Sequence, residues 1–348
     1  MLSKLIRLLR SNGALRAGSG LVSGVLGLTL SLLSLLAVLA FHFPEYLTTP
    51  ELRQRYDVAL LRWVLLGALL VAGSLAVFNM IWDRSRWLAA STFTLVLLAA
   101  GLGGHAVPVD PNFPDHTPYI GLDWLVLDLL GSAVLFVFVE KLHPLRPLQV
   151  VFRQAWQTDL THFITIHLLV GLLMAVTNAV AQSVLGWVDS DGLQAWVQGL
   201  PFTLALVFCI VVADVVQYAV HRTFHEVPWL WRFHAVHHSA KTMDWLAGSR
   251  LHLGEVLITR SLVLAVLLAL GFAKGVIDAY VVVVGFHAVL NHANVNLSLG
   301  PLRHLIVTPA YHHWHHACEA GALGRNYAAH LPILDRLLGT QLQDPRPW

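Results

Sequence analysis

Thirteen of the chain's 20 histidines lie between His221 and His316, and they recur at spacings that a helix turns into a shared face. In DVVQYAVHRTFH (Asp214 to His225), His221 and His225 are four residues apart. In WRFHAVHHS (Trp231 to Ser239), His234, His237 and His238 stand at i, i+3 and i+4. YHHWHHAC (Tyr311 to Cys318) repeats that spacing with His312, His315 and His316. Between the two triplets, FHAVLNHANVN carries Asn291 and His292, with His287 one turn earlier. Packed together without a cation, so many imidazoles would bury unpaired donors and acceptors. A metal removes that cost.

Nine imidazoles (His221, His225, His234, His237, His238, His292, His312, His315 and His316) exceed what one ion binds. First-row ions take about four to six ligands, so the set implies two ions with a position or two left open. A closed structural zinc site would use four ligands, usually with cysteine. The chain has two cysteines, Cys209 and Cys318, and no HExxH. Imidazole suits iron, zinc, copper and nickel alike; iron follows if the task is oxygen activation. Asp214 and Tyr218 fall seven residues before His221 and His225 on the same helical stripe. They read equally well as a hydrogen bond tying helices together or as orienters of a ligating imidazole.

The elements that must position this chemistry are apolar. Of 348 residues, 56% are apolar and 12% charged, against about 25% charged in soluble domains. Mean hydropathy is +0.65. The formal charge of +2 gives no argument for nucleic acid. Stretches long enough to cross about 30 Å of hydrocarbon fall near 20–41, 58–82, 87–107, 122–139, 160–186 and 199–220. Two more, near 256–272 and 276–290, read as a short helical hairpin, spanning or re-entrant. The basic residues of 1–16 precede an apolar run too long for a signal peptide, so that run reads as a first transmembrane helix.

Loop charge sets the orientation. Lys4, Arg7, Arg10 and Arg16, then Arg84 and Arg86, then Lys141, Arg146 and Arg153 flank one side. The segments 108–121 and 187–198 hold aspartates and no Lys or Arg, while 42–57 is mixed. The expectation is an all-α, multi-pass transmembrane bundle with a cytoplasmic N-terminus and a cytosol-facing, histidine-rich metal-binding cap. Residues 1–155 would supply about four N-terminal spans and 156–348 the catalytic membrane domain. In a bacterium this would be an inner-membrane protein.

The four motifs DxxxYxxHRxxxH, WxxHxxHHS, NHANV and TPxYHxWHH, in this order across about 210–320, resemble the fatty acid hydroxylase superfamily in its sterol desaturase branch. The resemblance implies two irons held by the nine histidines, although zinc could occupy the site in a purified protein. It implies O2 as co-substrate, and hydroxylation or desaturation of a C–H bond in a lipid, with no catalytic residue beyond the ligands. The chain has no flavin, dinucleotide, haem or cysteine-cluster fingerprint, so an external electron donor, ferredoxin or cytochrome b5-like, is implied. GSRLHLGE resembles the family's His-Pro-x-Glu element with Leu253 in place of proline, which makes His252 and Glu255 candidates for a further ligand or an orienting contact. His287, Asn291, Asp214 and Tyr218 are candidates of the same kind.

Other readings carry tests of their own. A metal transporter or sensor should hold its polar ligands near the bilayer midplane; here they sit at helix ends. A zinc-dependent lipid hydrolase needs a general base beside the metal, and Glu226, Glu255 and Glu319 are the nearby carboxylates. Trp229, Trp231 and Trp314 read as interface or core residues. Arg222 reads equally as a contact for lipid phosphate or as a flanking positive charge, and Cys318 as a small residue after the last ligand. His304, His313 and His330 read as surface histidines.

Overall fold

The computed structural model describes residues 21–82, 86–109, 119–185 and 191–342. The basic flank with Lys4, Arg7, Arg10 and Arg16, together with Arg84, lies outside the described residues, as do parts of the 108–121 and 187–198 segments. Among the described residues there is no strand, only an isolated bridge between Pro144 and Val295. Two compact units divide the chain, Met1–Leu127 and Asp128–Trp348. The boundary expected at 155/156 falls inside the second of them.

In the first unit, α1 (Leu21–His42), α2 (Val58–Ile81) and α3 (Arg86–Gly101) pack on one another around Val38, Leu65, Leu69, Ala99 and Val107. Asp57 caps α2 by accepting from the Ala59 and Leu60 amides. The α1–α3 approach is close because Gly24 leaves room: a Cβ there would stand 2.7 Å from the Leu88 side chain. α4 (Leu122–Leu142) follows.

The second unit contains α5 (Trp156–Leu168), α6 (Val170–Leu185), α7 (Phe202–Glu226), α8 (Pro228–His238), α9 (Leu253–Ala269), α10 (Lys274–His292) and α11 (Pro309–His315). The core of α7, α9 and α10 uses small residues on α7 (Ala205, Cys209 and Ala213, each one turn apart) so that Val263, Leu267, Val276 and Tyr280 can close in. The stretch expected as one span at 160–186 is instead two helices bent by 61° after Leu168. Polar His162, Thr165 and His167 interrupt its apolar pattern, and His167 bonds Asp128 at 2.7 Å.

Among the described residues, six helices are long and apolar enough to cross a membrane: 23–42, 58–81, 86–106, 122–142, 202–226 and 274–292. The bent pair would make a seventh. Of the expected hairpin, α10 reaches spanning length and α9, with 17 residues, falls short of it. Trp63, Leu70, Val134, Phe138 and Val282 face outward, as lipid-facing residues do. The protein is an integral membrane protein.

Candidate metal centre

Four elements deliver the histidines, and proline or a helix end sets where each begins or stops. α7 runs to Glu226, and Pro228 at the first turn of α8 starts a new helix axis. Pro309 does the same for α11, where the Thr308 hydroxyl caps the Tyr311 amide. α10 ends at His292 because Ala293 is extended.

These elements bring all nine histidines together as two groups. His221, His225, His234, His238 and His315 form the first; His237, His292, His312 and His316 form the second. Within each group the candidate ligand atoms lie within 4.8 Å of one another. Each HxxHH triplet is split between the groups. At 100° per residue, positions i and i+4 stay within about 40° while i+3 turns the other way. His234 and His238 therefore join the first group and His237 the second, whereas His312 and His316 join the second group and His315 the first.

Backbone carbonyls fix the tautomers. A carbonyl oxygen only accepts, so the ring nitrogen facing it must carry the proton. His221 Nδ1 donates to the Tyr327 carbonyl at 2.7 Å, His315 Nδ1 to Arg325 at 2.8 Å and His292 Nδ1 to Ala288 at 2.7 Å. His237 Nδ1 donates to Arg250 at 3.3 Å, and His234 Nδ1 to the Glu255 carboxylate at 2.7 Å. In the neutral rings, Nε2 of the four that face carbonyls is then a bare lone pair, and so is that of His234 where Glu255 is ionised. Yet His221 Nε2 faces His234 Nε2 at 3.0 Å, and His237 Nε2 faces His292 Nε2 at 3.1 Å. Lone pairs opposed at that distance repel unless a cation accepts both. Ligands about 2.1 Å from a common ion lie roughly 3 Å apart, so the nitrogens of both groups fit a first-row ion.

Burial keeps the rings neutral and able to ligate. Loss of solvation first, and neighbouring imidazoles second, hold His234, His237, His238, His312, His315 and His316 well below the ordinary imidazole range. Burial pushes the Glu255 carboxyl up to about 8. A cation behind His234 opposes that shift, because it favours a carboxylate on the far side of the ring.

The loop after α8 is held by buried charges. Arg153 bonds Asp244 through two nitrogens, at 2.6 and 2.8 Å, and Asp159 at 2.6 Å. Arg250 pairs with Asp159 and donates to the Ser239 carbonyl at 3.1 Å. Glu140 accepts the Trp245 and Asn294 amides at 2.8 and 2.9 Å. This network places the Arg250 carbonyl under His237. On the other side, Asp335 accepts from the Tyr327 and Ala328 amides and the Tyr311 hydroxyl, each at 2.8 Å. It thereby places the Tyr327 carbonyl under His221.

Several expectations need correction. Asp214 is fully buried, but its carboxylate accepts the His330 and Leu331 amides at 3.1 and 2.7 Å and touches no imidazole of either group. The Tyr218 hydroxyl bonds Thr340 at 2.7 Å. His252 turns its Nδ1 to its own helix start, accepting from the Gly254 amide at 3.0 Å, and stacks on Phe233. His287 bonds His330 through Nδ1 and the Val307 carbonyl through Nε2, both at 2.8 Å. Asn291 donates to the Ala329 carbonyl at 2.9 Å, and its Oδ1 is buried without a partner. Of the six added candidates, Glu255 alone hydrogen-bonds one of the nine histidines.

His330 and His313 are core residues, not surface ones, with 6% and 1% exposure; His304 is exposed. Cys318 is exposed and free. Trp229 and Trp231 are exposed, and the Trp231 ring lies 5.1 Å from that of His225. The carbonyls of Tyr327, Arg325, Arg250 and Ala288 were invisible to sequence reasoning, because any residue supplies one. The buried partners Arg153, Asp159 and Asp244 left a faint signal as charges in an apolar chain.

Residues 206–340 match the family described as fatty acid hydroxylase. The ornithine lipid hydroxylase OlsE of Rhizobium tropici is 28% identical over 77% of this chain and 81% of its own length. The human alkylglycerol monooxygenase is 32% identical over 36% of this chain and 28% of its own length. The very-long-chain aldehyde decarbonylase GL1-1 of Oryza sativa subsp. indica is 31% identical over 42% of this chain and 24% of its own length. The chain thus spans about a quarter of the length of these last two relatives. No solved structure matches. All nine histidines of the two groups lie inside the matched segment, and residues 206–340 form a fatty acid hydroxylase domain.

Proposed function

We propose that the chain is a membrane-bound di-iron oxygenase that hydroxylates, or desaturates, a C–H bond of a membrane lipid using O2 and externally supplied electrons. The observation that carries this reading is the pair of histidine groups, five and four imidazoles, with Nε2 lone pairs opposed at 3.0 and 3.1 Å. Bound iron would supply O2 activation and hydrogen abstraction from an unactivated carbon. The nine histidines would hold it, with no acid or base of the protein required. Glu255 would keep the His234 Nδ1 proton in place, and the Tyr327, Arg325, Arg250 and Ala288 carbonyls would do the same for four other rings.

An all-nitrogen set of neutral ligands leaves a bound metal pair strongly cationic, which suits electron uptake from an acidic one-electron carrier, ferredoxin or cytochrome b5-like. Lys and Arg in alternate loops support a cytoplasmic N-terminus and a cytoplasmic histidine cap. The catalytic part is assigned to residues 156–348, with the spans of 1–155 as its membrane support. The relative matched over most of its length is named for an ornithine lipid. Amino-acid-bearing polar lipids are therefore the first substrates to test.

The rival readings lose support at particular residues. A zinc hydrolase needs a free base, but Glu255 is engaged by His234 and Glu226 by Arg222, both at 2.7 Å. A transporter would hold its ligands along a path through the bilayer, whereas all nine histidines stand within five residues of an element's C-terminal end or just beyond it. The test compares membrane lipids from cells with and without the protein. It looks for addition of one oxygen or loss of two hydrogens, and assays iron per purified chain. Stoichiometric zinc with oxygen-independent turnover would sink the oxygenase reading.

A further inference from the structure

His313 is buried beside the nine and belongs to neither group. His313 donates from Nε2 to the backbone carbonyl of His292 at 3.0 Å. That carbonyl closes α10, where no amide four residues on remains to pair with it. A second contact acts on the same residue from the opposite chain segment. Gly248, in the loop held by Arg153 and Asp244, packs closely against the His292 ring. A Cβ at Gly248 would stand 2.9 Å from Nδ1 and 3.0 Å from Cγ.

We infer that His313 and Gly248 together clamp His292, and that this clamp sets the occupancy of the second histidine group. The inference rests on the reading of the two groups as ion sites. His292 is the hinge of its group: its Nε2 faces both His237 and His312 at 3.1 Å. Its ring direction is held at Nδ1 by the Ala288 carbonyl, its face by Gly248 and its backbone by His313. Released from α11, the end of α10 carries its ligand away from two of the other three. The matching position in the first triplet is Ala235, which has no side chain to bond with. The clamp therefore acts on one group. His313 is a positioning residue, and Gly248 supplies the space the ring needs.

The test loads the full-length protein, purified in detergent, with zinc and separately with ferrous iron under anaerobic conditions, and counts ions per chain. Wild type is expected to hold two. His313→Phe, similar in size but without a donor, and Gly248→Ala are each expected to hold one. His313→Gln, which keeps an N–H donor, should recover the second. Thermal melting of each variant checks that the bundle has formed. Two ions in both His313→Phe and Gly248→Ala overturn the clamp alone. Loss of both ions from His313→Phe also counts against it, because the first group should survive. Fewer than two ions in wild type overturn the underlying reading of two ion sites and the clamp with it.

Discussion

The Nδ1 of His234 and a carboxylate oxygen of Glu255 lie 2.7 Å apart, with both side chains nearly out of contact with solvent. That pairing ties the first turn of α9 to the middle of the first histidine group, since His234 Nε2 faces His221 at 3.0 Å and His238 at 3.1 Å. Removing the carboxylate lets the ring rotate and lowers its basicity. Glu255→Ala is expected to weaken metal binding at the first group about 10- to 100-fold, the usual effect of losing an orienting partner. Competition with a chelator of known affinity measures it, and unchanged affinity would refute the role.

The splitting of the triplets has its own consequence. His237→Ala and His238→Ala are neighbouring substitutions but should empty different groups, each leaving one ion per chain. His315→Ala should pair with His238→Ala in this respect, and His316→Ala with His237→Ala. Electron paramagnetic resonance of cobalt-loaded variants reads this directly: the magnetic coupling of two nearby ions disappears and an isolated high-spin signal remains.

Buried neutral imidazoles make the metal-free protein sensitive to acid. His237, His238, His312, His315 and His316 are held well below their ordinary value of 6.5 by burial and by one another. The unfolded chain then binds more protons than the folded one once pH drops beneath that value, so stability falls as pH falls. Above about pH 7 the groups are neutral in both states and contribute no pH dependence. Melting temperatures of the metal-free protein between pH 5 and pH 8 should decline on the acid side of about 6.5. A flat profile would count against the neutral state of these rings.

The arginine–aspartate network is a stability element with a metal readout. Arg153→Met leaves Asp244 and Asp159 buried with one cation between them, a loss of about 3–5 kcal/mol when one partner of a buried pair is removed. Denaturant unfolding in detergent measures that loss. Because Arg250 also offers its carbonyl to His237, ion retention in the second group should weaken in parallel.

Much of the centre was legible because its signal is local. Spacings of three and four residues within YHHWHHAC and WRFHAVHHS select a face whatever the rest of the chain does. The long apolar runs announce spans for the same reason. What local pattern could not supply is the partner from far along the chain. Asp214 shares a stripe with His221 but is spent on two amides more than a hundred residues away. His313 reads from the sequence as a surface histidine, and only the approach of α10 to α11 gives it the His292 carbonyl. The break after Leu168 in a stretch that read as one span also depends on packing, with His167 drawn to Asp128.

The sequence by itself determined which nine imidazoles could converge and that apolar helices must carry them, since helix periodicity and hydrocarbon thickness are properties of short segments. Tertiary structure decided how those nine divide into five and four, which carbonyl holds each tautomer, and which buried charges hold the carbonyls. Those outcomes depend on the crossing of α7, α8, α10 and α11, and a crossing is the joint result of packing across long stretches of chain rather than of any motif within one.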